Sequence, residues 1–130
     1  MRRFHVIKWV MALLAATVLM ASCNEAFAEE DWTDEQIVNA IYQAEGGAKA
    51  QYPYGIRSVK CAGKDSCYLV CKRTVRNNRK RFKEYGHKDH RIFIEFLASK
   101  YCPIGAGNDP KNLNKNWLKN VKFYLAKDRK

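Results

Sequence analysis

The first 28 residues have the pattern of an export signal. This pattern predicts that the mature protein is a domain that folds outside the cytoplasm. Three basic residues precede an apolar run at residues 9–21, and the small residues Ala26 and Ala28 follow it. The run is shorter than the roughly 20 residues that cross a bilayer, and it leads into an A-x-A cleavage pattern. We therefore expect removal of residues 1–28 and a single domain at residues 29–130, periplasmic or secreted from a bacterial cell.

A lipoprotein is the alternative for the same segment. Residues 19–23 end in Cys23 and resemble the bacterial lipoprotein box, in which the cysteine becomes the lipidated first residue. Met20 departs from that pattern, and cleavage after Ala28 would remove Cys23. We favour the soluble product and expect membrane contact only if Cys23 is lipidated.

Four cysteines remain after cleavage, an even number that suits disulfides in an oxidising compartment. Cys61 and Cys67 flank a short glycine-containing loop. Cys71 lies on the core side of one predicted helix, and Cys102 ends the next. We predict the pairs Cys61–Cys67 and Cys71–Cys102, each of which would contribute about 2–4 kcal/mol to stability.

Apolar residues recur at helical spacing and predict an all-α, disulfide-stabilised domain of about four helices. The predicted helices start at or near Thr33, Asp65, Asp89 and Trp117. Thr33 and Gln36 form a capping-box pattern, and Gly46-Gly47 ends the first helix. Residues 52–59 alone show a weak extended or turn pattern.

Positive charge is concentrated on the second helix. Residues 1–28 hold three basic and one acidic residue, so of the net charge of +11 the mature part keeps +9. One face of the second helix carries Lys72, Arg73, Arg76, Arg79, Lys80, Arg81 and Lys83. Such a face is either solvated or turned toward an anionic surface, and export lowers the chance that this surface is nucleic acid.

Familiar metal and cofactor motifs are missing from the sequence. The cysteines lack paired C-x-x-C spacing, and His87 and His90 lie in a loop. There is no glycine-rich phosphate loop after a strand and no G-x-S-x-G. We therefore predict no metal site and no cofactor.

Glu45 is an unusual acidic residue because it ends the first helix, directly before Gly46-Gly47 and an aromatic loop. The helix macrodipole places partial negative charge at this end, which disfavours ionisation of a carboxyl group. Burial under the loop would raise the pKa of Glu45 further. A protonated Glu in an apolar pocket is what general-acid cleavage of a glycosidic bond requires.

Three segments together resemble the lysozyme-like lytic transglycosylases. Residues 40–47 (AIYQAEGG) and then 54–56 (YGI) are similar to the start of that domain, where a helix ends in the catalytic Glu and a Gly-hydrophobic motif follows. Residues 113–121 (LNKNWLKNV) occupy the place of its late Asn/aromatic segment. Three features depart from the family pattern: Gly46 replaces the usual Ser, the gap from Glu45 to Gly55 is short, and Arg57-Ser58 replace Met-Gln.

The resemblance implies a small lysozyme-like helical domain that cleaves peptidoglycan without a cofactor. Glu45 would be the catalytic acid and base at the bond between N-acetylmuramic acid and N-acetylglucosamine. Tyr54, Tyr101 and Asn116 are candidate sugar contacts, although packing or helix capping would also explain them. One carboxylate suffices for a transglycosylase, whereas Asp109 or Glu95 could assist a hydrolase.

Two other functions remain open from the sequence. The first is a non-catalytic cationic module, a monomer like the enzyme, that binds an envelope polymer or a partner in a secretion or conjugation machine. The second, which we favour least, is an exported nucleic-acid binder that uses residues 72–83.

Overall fold

A computed structural model of the chain describes residues 32–57 and 59–129. These residues form four α-helices: α1 (Asp34–Ala44), α2 (Gly63–Glu84), α3 (Phe93–Tyr101) and α4 (Trp117–Lys127). No strand occurs in these two ranges, and residues 52–59 contribute a 3-10 turn at Pro53–Gly55. The prediction of an all-α domain with four helices is confirmed. The predicted export signal and Cys23 lie outside the described residues.

Helix α1 is capped as the sequence predicts. The Thr33 side chain accepts from the backbone N–H of Gln36 at 3.2 Å, and the Gln36 side chain accepts from the N–H of Thr33 at 3.0 Å. The helix ends at Ala44 because Glu45 leaves helical geometry and Gly46 takes a left-handed φ of +105°. This stop leaves Glu45 as the C-cap residue.

Helix α1 packs against both α2 and α4, and α3 packs against the same two helices. Each helix buries an apolar stripe with a period of three to four residues. The fully buried side chains that these stripes contribute include Ile37, Ile41, Cys71, Val75, Phe96, Leu97, Val121 and Leu125. The core therefore fixes α1 and α4 against each other. It also fixes the C-terminal end of α1 and the first residues of α4, where the candidate site lies.

Helix α3 begins later than the sequence predicts, at Phe93 rather than beside Asp89. The chain first makes a 3-10 turn at Gly86–Lys88, and the N–H groups of Asp89 and His90 both return to the carbonyl of Gly86. The residues at the predicted cap are thus used to close that turn. Ile92 occupies the N-cap position without a side-chain hydrogen bond.

One of the two predicted disulfides is confirmed and the other is wrong. Cys61 and Cys67 are bonded, with Cα atoms 5.1 Å apart, whereas Cys71 and Cys102 are both unbonded. Helix α3 ends at Tyr101, and Cys102 leaves helical geometry. The end of α3 turns Tyr101 toward Cys71, with its hydroxyl 3.7 Å from the sulfur, and Cys102 therefore faces elsewhere.

Helix α2 is the longest described helix, and only part of its positive charge is paired. Lys72 bonds to Glu35, and Arg79 bonds to Asp34 at 2.7 Å and to the carbonyl of Trp32. Its outward side exposes Arg73, Arg76, Lys80, Arg81 and Lys83. No helix in residues 32–57 or 59–129 has both the length and the hydropathy that spanning a bilayer requires.

Candidate functional site

Glu45 lies in a cleft of about 790 Å³ beside the C-terminal end of α1. Its walls are the turn that follows α1, the end of α3, the loop before α4 and the first residues of α4. The residues that line it include Tyr52, Gly55, Arg57, Tyr101, Cys102, Asp109, Lys111, Asn114, Trp117 and Asn120. The Glu45 side chain is half-buried. The carboxyl group is thus accessible to a ligand but shielded from bulk water on one side.

Two contacts hold the Glu45 carboxyl group in place. The indole N–H of Trp117 donates to Oε1 at 2.9 Å. On another side the backbone of Gly55 approaches so closely that a Cβ there would lie 2.5 Å from the carboxyl carbon. Gly55 also has a φ of +68°, which favours glycine. Glycine is therefore required here for space as well as for backbone geometry.

Burial raises the pKa of Glu45 above its ordinary value, and this is the largest influence on the group. The Trp117 hydrogen bond and the positive charge of Arg57 act in the opposite direction because both stabilise the carboxylate. The C-terminal end of α1 adds partial negative charge, which again favours the protonated form. The site accordingly holds a carboxyl group that is easier to protonate than an exposed one.

Tyr101 connects the cleft to the core. Its ring stacks on Trp117 with centroids 5.1 Å apart and planes inclined by 24°. Its hydroxyl donates to the carbonyl of Tyr54, in the turn that approaches Glu45. The pKa of Tyr101 is strongly raised by burial, so the hydroxyl remains a donor. Tyr101 thus fixes both the Trp117 ring and the turn at Gly55.

Asp109 is the second carboxylate of the cleft, and each of its oxygens accepts a hydrogen bond from the backbone. They accept from the backbone N–H groups of Leu113 and Asn114, each at 2.8 Å. The Asn114 side chain donates in turn to the carbonyl of Pro103 at 2.9 Å. These bonds shape the loop between α3 and α4. Glu95, the other acid considered, lies on α3 and pairs with Lys122 at 3.7 Å, outside the cleft.

Of the three predicted sugar contacts, the structure brings only Tyr101 to the cleft. The Tyr54 ring is 3% exposed and packs between Tyr42 and Tyr68 instead, so it contributes its carbonyl rather than its ring. Tyr54 has a φ of +59°, and this turn carries its side chain away from Glu45. Asn116 is exposed in a 3-10 turn and does not line the cleft, which receives Asn114 and Asn120.

Sequence reasoning missed the groups that position the carboxyl. Trp117 matched the buried stripe of α4, and nothing in that pattern distinguishes a buried indole that packs from one that also donates to Glu45. Cys102, predicted to be in a disulfide, has a free thiol in the cleft, and burial raises its pKa to about 12. At that pKa it remains a thiol rather than a nucleophilic thiolate at neutral pH.

No group of three or more His, Cys, Asp or Glu side chains in the described part of the chain is placed to hold a metal ion. Comparisons with protein-family models, with curated proteins and with solved structures find no match. The choice of function therefore depends on the geometry around Glu45.

Proposed function

We propose that the protein is a small lytic transglycosylase that cleaves peptidoglycan in the periplasm or outside the cell. The observation that supports this most is the Glu45 carboxyl group, whose pKa is raised and which lies in a cleft between aromatic and amide side chains. Aromatic rings stack on sugars, and amides pair with N-acetyl groups. Tyr101, Asn114 and Asn120 supply these two kinds of group, and the buried Trp117 holds Glu45.

The reaction divides into two proton transfers at Glu45. Trp117 occupies Oε1, so the proton is carried on Oε2 and passes to the glycosidic oxygen as the bond to the muramyl C1 breaks. The carboxylate then takes the proton of the muramyl 6-hydroxyl as that oxygen bonds to C1. A 1,6-anhydro ring closes, and Glu45 is protonated again.

The state of Asp109 favours a transglycosylase over a hydrolase. A hydrolase with two carboxylates needs the second one to activate water or to attack the sugar. Asp109 accepts two backbone hydrogen bonds instead, and its movement would release the loop before α4. An attacking hydroxyl that belongs to the substrate removes the need for a second carboxylate.

The products of peptidoglycan digestion test this proposal. Purified sacculi are incubated with the protein, and the fragments are analysed by mass spectrometry. A transglycosylase releases ends that are one water lighter than hydrolysed ends. Reducing ends would indicate a hydrolase that recruits Asp109, and intact sacculi would contradict both enzymatic assignments.

The exposed cations of α2 support a second candidate function, a non-catalytic module that binds an anionic envelope polymer or a secretion or conjugation partner. Five of the seven basic residues on that face have exposed side chains, whereas Lys72 and Arg79 pair with the start of α1. Binding of sacculi by the Glu45→Gln variant that falls steeply with salt, without turnover by the native protein, would favour this module. The same salt dependence with DNA would favour the nucleic-acid binder.

A further inference from the structure

The cleft beside Glu45 is lined by positively charged as well as acidic side chains. Arg57 and Lys111 both line the cleft. Among the described residues neither forms a salt bridge, and the nearby carboxylate of Asp109 accepts two backbone amides. The guanidinium group of Arg57 therefore forms no salt bridge among the described residues, and its charge acts on the Glu45 carboxylate at longer range.

The exposed Arg57 side chain packs on an aromatic ring of the same turn. Its guanidinium carbon lies 5.1 Å from the centre of the Tyr52 ring, which is 42% exposed and lines the same cleft. The turn between these two residues is closed by the N–H of Gly55, which donates to the carbonyl of Tyr52 at 2.9 Å. Stacking on the ring restricts the guanidinium and leaves its N–H groups for a ligand.

Arg57 also acts at the reacting carboxyl group. Arg57 and Glu45 line the same cleft, so one ligand in the cleft can contact both, and the charge of Arg57 stabilises the carboxylate of Glu45. The guanidinium fork matches a carboxylate in a bidentate arrangement. Neutral sugars offer no such group.

We propose that Arg57, held against Tyr52, is a specificity-determining residue that binds a carboxylate carried by the glycan next to the scissile bond. Within peptidoglycan, the group that Arg57 contacts is then a carboxylate of the peptide stem, which a neutral N-acetylglucosamine polymer lacks. This inference rests on the proposed function in its choice of glycan, but binding alone is enough to test it.

The test measures binding in the Glu45→Gln background, where no turnover is needed. The ligands are a tetrasaccharide of alternating N-acetylglucosamine and N-acetylmuramic acid with peptide stems, and neutral N-acetylglucosamine tetrasaccharide. Arg57→Met keeps the stem of the side chain and removes the charge, whereas Arg57→Lys keeps the charge and removes the fork. Lys111→Met is the matched control for loss of one positive charge from the cleft.

Arg57→Met should weaken binding of the charged ligand about tenfold or more, because one charged hydrogen-bonded pair is lost, and should leave binding of the neutral ligand unchanged. Arg57→Lys should restore part of the loss, and Lys111→Met should cost less than Arg57→Met. Equal losses for both ligands, no loss, or no binding of the charged ligand would each overturn the proposal. The proposed enzymatic activity is tested separately. It is contradicted if the native protein binds the charged glycan but releases no product.

Discussion

Helix α1 carries a glutamate at each end, and the pKa values of the two carboxyl groups are shifted in opposite directions. Glu35, in the first turn, accepts from Lys72 and from the hydroxyl of Tyr68, and these hydrogen bonds lower its pKa. Glu45, at the C-cap, is half-buried, and desolvation raises its pKa. The helix macrodipole favours the charge at the first position and disfavours it at the second.

The two glutamates show how one residue type acquires two roles from its surroundings. Glu35 is a fixed anion whose charge ties α1 to α2 through Lys72. Glu45 has one hydrogen-bond donor, Trp117, and a cleft on its other side. A carboxyl group that exchanges protons with a ligand needs the environment of Glu45. If the two environments determine activity, variants at the two ends of α1 should differ in peptidoglycan cleavage.

The largest expected effect is that of Glu45→Gln, with Glu35→Gln as the matched control on the same helix. Loss of general acid–base catalysis should reduce peptidoglycan cleavage by about 10²–10⁴-fold or more, while Glu35→Gln should retain activity. Product release from sacculi is measured for both, with melting temperatures to verify folding. Equal turnover by the native protein and Glu45→Gln would remove Glu45 from the mechanism.

Gly55→Ala should have the next largest effect, because its Cβ would meet the Glu45 carboxyl carbon at 2.5 Å. Displacement of that group should lower the cleavage rate by on the order of 10²-fold. Gly105→Ala separates this collision from backbone strain, since Gly105 also has a positive φ, +78°, but nothing lies within 4 Å of its Cβ position.

The Gly105→Ala control should cost about 1–2 kcal/mol of stability and leave the rate unchanged. Gly55→Ala should cost about 1–3 kcal/mol more than that control. Urea unfolding and sacculus digestion measure the two quantities. If both glycine variants lose the same stability and neither loses activity, the close approach of Gly55 to Glu45 has no functional consequence.

Trp117→Phe should have a moderate effect on rate and a specific effect on pH dependence. The indole hydrogen bond lowers the pKa of Glu45, so its removal should raise that pKa and shift the fall of kcat/KM with rising pH to higher pH. We expect about a tenfold loss of rate, as for a hydrogen bond to a charged group. Trp32→Phe is the matched control because the Trp32 indole N–H is buried and has no hydrogen-bond partner among the described residues.

An unchanged pH profile in Trp117→Phe, or the same shift in Trp32→Phe, would contradict the assignment of Trp117 as the residue that positions Glu45. A general loss of packing would lower stability in both variants without moving the profile.

The helices were predictable from sequence because capping and periodicity are local signals. Thr33 and Gln36 form the expected box, and the end of α1 at Gly46 follows from its left-handed backbone. At the candidate site, Glu45 and Tyr101 were predicted and both line the cleft. Glu45 was predictable because its position relative to the helix end carries electrostatic information. The pair Cys61–Cys67 was also predictable, because its two cysteines are only six residues apart in the sequence.

The remaining site depends on contacts between distant segments. Trp117 and Glu45 are 72 residues apart, and their hydrogen bond follows from the packing of α4 on α1. The prediction that Tyr54 contacts sugar was wrong because the side-chain direction of a residue in a loop cannot be read from the sequence. The error at Cys102 has the same origin, because a shift of one residue at the end of α3 decides which side chain faces Cys71.

The smallest expected effect concerns stability, and it should differ in sign between the two ends of α1. For Glu45 the folded-state pKa lies above the unfolded value of about 4.3, so ionisation costs stability as pH rises from that value through the folded pKa. Glu45→Gln avoids the cost and should be more stable than the native protein at neutral pH by about 0.3–1 kcal/mol, but equal to it in acid. For Glu35 the folded pKa is lowered, so its charge stabilises the fold above about pH 4.3, and this contribution is lost as pH falls through the folded pKa. Glu35→Gln should therefore be less stable than the native protein at neutral pH and approach it in acid. Urea unfolding of the three proteins from acid to neutral pH measures both differences, and two differences of the same sign would show that position on α1 does not determine the state of these carboxyl groups.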